Sequence, residues 1–155
     1  MIHYEKYRFY DDGVEIMIPS CLKEPTSQFV VPNSFVSDNK RVVVNVARGK
    51  EVLMQEQLEA RVDDYCKGFA KEASEFECLK IHKRQFLDDL FVDLRYLSNM
   101  RGYQFYNAFI LGIYEGRELI VMMQCMQNEI TDNEYMFDCI ADSIRILKKN
   151  RMQNV

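Results

Sequence analysis

Few side chains in this 155-residue chain have the types and spacing that catalysis or metal binding requires. The only histidines, His3 and His82, fall on different extended segments, so a zinc site would have to recruit distant ligands. Cys78 and His82 share one face of a single predicted strand. Four residues at about 3.3 Å each set them roughly 13 Å apart, beyond the reach of one zinc ion. Cys66 could act as a nucleophile beside a histidine, but it flanks a buried helical stripe, where a thiol serves as a small apolar side chain. The carboxylates of Asp63 and Asp64 diverge around a helix. Those of Asp88 and Asp89 sit in a turn, where aspartate bonds the backbone, so neither pair makes a general acid and base. The 6 glycines are isolated and form neither a phosphate loop nor a nucleophile elbow. We expect no catalytic residue, no cofactor and no metal, and hence a non-enzymatic role.

The elements that carry these residues follow from periodicity. Residues 4–10 and 14–19 alternate as strands around Asp11-Asp12-Gly13, a hairpin signal in which Gly13 accepts positive φ. Residues 20–39 are polar and read as a long loop with a short extended piece at 29–31. The valine-dense segment 41–48 reads as a strand ending at Gly49. A long helix follows, with Leu58, Val62, Tyr65 and Phe69 on one stripe and Met54 and Ala73 extending it. Gly68 inside that helix points to a close approach or a bend. The pattern then switches to period two over 76–84, 90–98, 103–114 and 118–127, joined by short links that demand antiparallel neighbours. In the third of these strands Phe105, Phe109, Leu111 and Ile113 take one face and Tyr106, Ala108, Ile110 and Tyr114 the other, which predicts a strand covered on both sides. A second helix is predicted over 133–148, opened by a capping box of Thr131 and Glu134. Phe137, Ile140, Ala141, Ile144 and Leu147 form its buried stripe, and Lys148 and Lys149 suit its negative end.

Together these elements predict an α+β fold, a largely antiparallel sheet of about six strands packed with two main helices. Residues 1–149 make one domain of a size that buries most of its apolar surface, and 150–155 a flexible tail. The net charge is −4 with both signs interspersed, which excludes the basic footprint of a nucleic-acid binder. The longest apolar run, 119–123, falls far short of the about 20 residues that span a bilayer. Residues 1–10 lack the apolar stretch of a secretory signal, and 5 cysteines without CxxC spacing suit a reducing cytoplasm.

The order of hairpin, strand, helix, four-strand meander and helix, with Phe9 and the run Val14-Glu15-Ile16-Met17-Ile18-Pro19, resembles the PsbP-like fold and, within it, the DcrB-like bacterial proteins. Ser20-Cys21-Leu22 follows the proline where such relatives often carry a tryptophan. The resemblance implies a mostly non-enzymatic scaffold that binds other proteins.

Two groups of residues offer an interaction surface. Arg95, Tyr96, Arg101, Tyr103, Tyr106 and Asn107 surround one turn and have the residue types of interface hot spots. Met17, Met122, Met123, Met126 and Met136 could line an apolar groove for an amphipathic helix. The expected partner is another protein or peptide, with a homodimer also open. The alternative is a small-molecule binder or enzyme with a pocket inside a curved sheet, lined by Asn45, Arg95, Asn107 and Gln124.

Overall fold

The structure is a computed structural model and describes residues 2–26 and 31–147. The extended piece at 29–31 falls mostly outside the described residues, and Lys148, Lys149 and the tail 150–155 fall wholly outside. In chain order the elements begin with β1 (Tyr4–Phe9), β2 (Val14–Pro19), β3 (Ser34–Val36), β4 (Val43–Val52) and α1 (Leu58–Glu72). Then come β5 (Ser74–Phe86), β6 (Asp89–Met100), β7 (Tyr103–Tyr114), β8 (Arg117–Met126), α2 (Ile130–Ser143) and the short β9 (Arg145–Ile146).

Six strands form an antiparallel sheet in the order β3-β4-β8-β7-β6-β5, in which the last four in sequence make the predicted meander. The hairpin β1-β2 pairs instead with β9 in a separate three-stranded sheet. That small sheet and α2 cover one face of the large sheet. Ile16, Ile18, Phe137 and Ile140 there meet Val44, Val46, Tyr106, Ile110, Val121 and Met123. On the opposite face Leu58, Val62 and Phe69 of α1 meet Val92, Leu94, Tyr96, Phe109 and Leu111. Each large apolar side chain so buried contributes about 1.5–3 kcal/mol. β7, apolar on both faces as its alternation predicts, therefore anchors both layers.

Several local details differ from the sequence reading. In the first hairpin Tyr10, Asp11 and Asp12 take positive φ and Gly13 does not. Gly13 is needed because a Cβ there would lie 1.8 Å from the Tyr114 hydroxyl oxygen. β4 continues through Gly49 to Val52 across a register shift, and a Cβ at Gly49 would strike the Glu118 side chain. α1 begins only at Leu58, after a 3-10 turn, so Met54 lies off its stripe and is 55% exposed. Gly68 approaches nothing: its missing Cβ faces open space. α2 begins at Ile130, which leaves Thr131 and Glu134 inside the helix and no side chain capping it. It ends at Ser143. Ile144 stays buried just before β9, and the Leu147 N–H donates to the Gly13 carbonyl at 2.9 Å.

Candidate functional site

The structure disperses the predicted aromatic and basic surface. Of its six residues only Arg101 and Tyr103 are exposed, whereas Arg95, Tyr96, Tyr106 and Asn107 are buried. Alternation along β6 and β7 sends Arg95 and Tyr106 beneath α2, and Tyr96 and Asn107 toward the α1 side. Because both faces are covered there, these side chains belong to two separate interiors and not to one surface. The methionines fare similarly. Met123 and Met136 are core residues under α2, Met17 and Met126 are half-buried, and Met122 is exposed on the other face of the sheet from Met123. They line no common groove.

Arg95 instead centres a buried ion network. Its guanidinium grips Asp93 in a two-pronged contact, Nε to Oδ1 at 2.8 Å and Nη2 to Oδ2 at 2.9 Å. Nη1 donates to the Tyr106 hydroxyl at 2.8 Å, and Nη2 also reaches Asp138 of α2 at 2.9 Å. Burial alone would lower the Arg95 pKa, but Asp93 and Tyr106 raise it above its ordinary value, so the cation is locked in place. Arg84 of β5 joins the network through Asp93 at 2.9 Å and through Asp142. A second cluster lies on the α1 side, where buried Glu118 accepts from Arg61 at 2.7 Å and from the Tyr65 hydroxyl at 2.8 Å. Burial and then Glu118 push the Tyr65 pKa up to about 12.

The polar groups of the alternative pocket do not converge. Gln124 donates to Asn107 at 2.8 Å and Asn107 to Ser98 at 2.9 Å, while Asn45 turns to Ser34 at 2.9 Å. Arg95 is on the opposite face. Among the described residues no three His, Cys, Asp or Glu side chains gather as a metal site would need. No helix among them is long and apolar enough to cross a membrane.

What stands out is β5. Among the described residues it pairs only with β6, and of its 13 residues all but Phe76 and Arg84 are exposed. These two are its anchors: Phe76 packs on the Tyr96 ring at 5.2 Å, and Arg84 enters the ion network. Leu79, Ile81 and Phe86, 44%, 53% and 43% exposed, lie along its open length, with Leu87 beyond in the turn. A register shift between Cys78 and Lys80 inserts a bulge, which reverses the facing of the strand. Cys78 lies opposite Tyr96 and His82 opposite Asp93, so these two residues point to different faces rather than the shared one that alternation predicts. From Lys80 to Phe86 the register is regular. This stretch holds Lys80, Lys83 and Arg84 and no carboxylate of its own, in a chain whose net charge is −4; Lys83 pairs with Glu59 of α1 and Arg84 is held in the ion network, while Lys80 is exposed. Beside it, between β5 and the end of α2, lies a cleft of about 380 Å³. His82, Arg84, Phe86, Asp142 and Arg145 contribute to its walls, and the Arg145 guanidinium stacks 3.6 Å from the Phe86 ring centroid. Sequence reasoning placed the strand but missed its openness. The available signal was that residues 77–85 carry polar side chains at both parities, as a strand covered on neither face would.

No family model matches the sequence, and no curated protein matches it. Solved structures do. The chain is similar to cyanobacterial PsbP (CyanoP) from Synechocystis sp. PCC 6803, with a TM-score of 0.68 and 12% identity over 95% of this chain and 94% of that one. It is similar to LpqN of Mycobacterium tuberculosis, a protein involved in cell envelope biogenesis, with a TM-score of 0.64 and 13% identity over 95% and 92% of the two chains. It is also similar to the Saccharomyces cerevisiae Ran-binding protein Mog1p, with a TM-score of 0.59 and 8% identity over 94% and 96%. Identities this low carry the architecture alone, and the architecture agrees with the topology above: the chain has a PsbP-like fold.

Proposed function

We propose that this protein is a non-enzymatic protein-binding module, adaptor or chaperone-like, that takes up an extended acidic segment of a partner as an added strand on β5. The observation that carries this reading is the open edge of regular register from Lys80 to Phe86, which bears the exposed Lys80 and Lys83 and no carboxylate of its own. Strand addition supplies main-chain hydrogen bonds to the outward backbone groups, and alternate side chains supply selectivity. The cations then discriminate between partners. They set like charges against the same stretch of a second copy, which guards an exposed edge from self-pairing, and they attract a strand that carries carboxylates. Phe86, Arg145 and the cleft beside them offer a seat for one side chain of the incoming segment. A Ran-binding protein of similar architecture supports a protein as the partner. The 5 unpaired thiols support residence in the reducing cytoplasm.

Fluorescence anisotropy with a labelled peptide of alternating Glu and β-branched residues tests this directly. We expect saturable binding that weakens as salt rises and is absent for the Lys counterpart of the same peptide. The double substitution Lys80→Glu, Lys83→Glu is expected to reverse that preference. Equal binding of both peptides, or indifference to the double substitution, would sink the proposal.

A further inference from the structure

We infer that Cys66 and Cys78 form a redox pair, which closes to a disulfide between α1 and β5 on exposure to a small-molecule disulfide of the glutathione class. Both are free thiols, Cys78 exposed and Cys66 half-buried. Cys66 lies one helical turn before Phe69, and Cys78 two residues after Phe76 on β5. The Phe69 and Phe76 rings both pack on Tyr96, at 5.1 and 5.2 Å between centroids, and the strand register sets Cys78 directly opposite Tyr96. Register and ring packing therefore place both cysteines beside Tyr96. Burial first and then the nearby Cys78 thiol push the Cys66 thiol up.

Exposure sets the order of events. The Cys78 thiolate attacks one sulfur of oxidised glutathione, forming a mixed disulfide and releasing one glutathione thiolate. Cys66, deprotonated in turn, attacks the Cys78 sulfur and expels the second glutathione thiolate. The protein loses two thiol protons and two electrons. The glutathione disulfide gains both and ends as two glutathione thiols. The bridge fastens α1 to β5 at the bulge that precedes the 80–86 stretch. It stands on the placement of the two cysteines about Tyr96, whether or not a partner binds that stretch.

The full chain equilibrated in glutathione redox buffers, quenched by acid and alkylation and mapped by mass spectrometry, provides the test. The expected product has an intact mass lower by two hydrogens and a cross-linked peptide joining Cys66 to Cys78. Cys66→Ser is expected to leave a glutathione adduct stranded on Cys78, and Cys78→Ser to abolish the bridge. Three results on the unsubstituted chain would each overturn the inference: a Cys78 adduct that never resolves, a bridge mapped to Cys21, Cys125 or Cys139, or complete alkylation of Cys66 and Cys78 in fully oxidising buffer.

Discussion

The two ends of the large sheet answer the same physical problem in opposite ways. A sheet edge exposes unpaired backbone groups and must be shortened, covered or charged. β3 is both short and covered. Its outer side is bridged by Lys23, whose N–H donates to the Val36 carbonyl at 3.0 Å and whose carbonyl accepts from Val36 at 2.8 Å. Phe35 is sealed there against the Tyr7 and Phe9 rings, at 4.7 and 6.1 Å. β5 is 13 residues long, and along 80–86 only charge guards it. The contrast teaches that side-chain burial is concentrated at the covered edge and beneath the helices, and that β5 is held chiefly by its ladder to β6 and by Phe76 and Arg84. Residues along that middle can change without loss of the fold, the condition a recognition surface needs.

The largest effect should come from the anchor that ties β5 to the interior. Asp93→Ala strips the fully buried Arg95 of its two-pronged partner, leaving it the carboxylate of Asp138, and takes from Arg84 its buried carboxylate, which is expected to cost about 3–5 kcal/mol in urea unfolding. Phe35→Ala opens the covered edge and is expected to cost about 3 kcal/mol, read the same way. Alkaline pH probes the α1 side. Tyr65 and Tyr96 are both pushed up from 10.0 to about 12, chiefly by burial, so the folded chain keeps protons that the unfolded chain gives up. Their contribution is whole below pH 10 and is lost as pH rises through about 12. The urea midpoint should fall across that window, less steeply in Tyr65→Phe. The smallest effect belongs to the open edge: Ile81→Thr is expected to shift stability by no more than about 0.5 kcal/mol. A cost for Ile81→Thr that rivals Phe35→Ala would erase the difference between the edges.

The meander was legible in the sequence because its turns are local. Arg101-Gly102 and Glu115-Gly116 both take positive φ, as the tightest hairpin turns require, and the alternation in β7 fixes its two faces. What lay beyond reach was any property that depends on which strands become neighbours. Arg95 looked like surface because its partner Asp138 arrives from a helix some forty residues on. The spacing of Asp93 and Arg95, two residues apart on one strand face, was a readable hint of an internal pair. The shared face expected for Cys78 and His82 failed for a different reason, since one extra residue in a bulge inverts every assignment past it. The openness of β5 left a trace in the polar side chains at both parities of residues 77–85, but its place at the sheet edge comes from long-range pairing and not from local pattern.

Hydrogen exchange at the backbone of residues 80–86, with and without the acidic peptide, addresses the central claim most directly. In the free chain, amides that point away from β6 should exchange quickly while those bonded to β6 are protected, and saturating peptide should slow the outward set. Protection of both sets in the free chain would mean that the edge is already covered. Protection by peptide that appears elsewhere, with 80–86 unchanged, would equally contradict strand addition at β5.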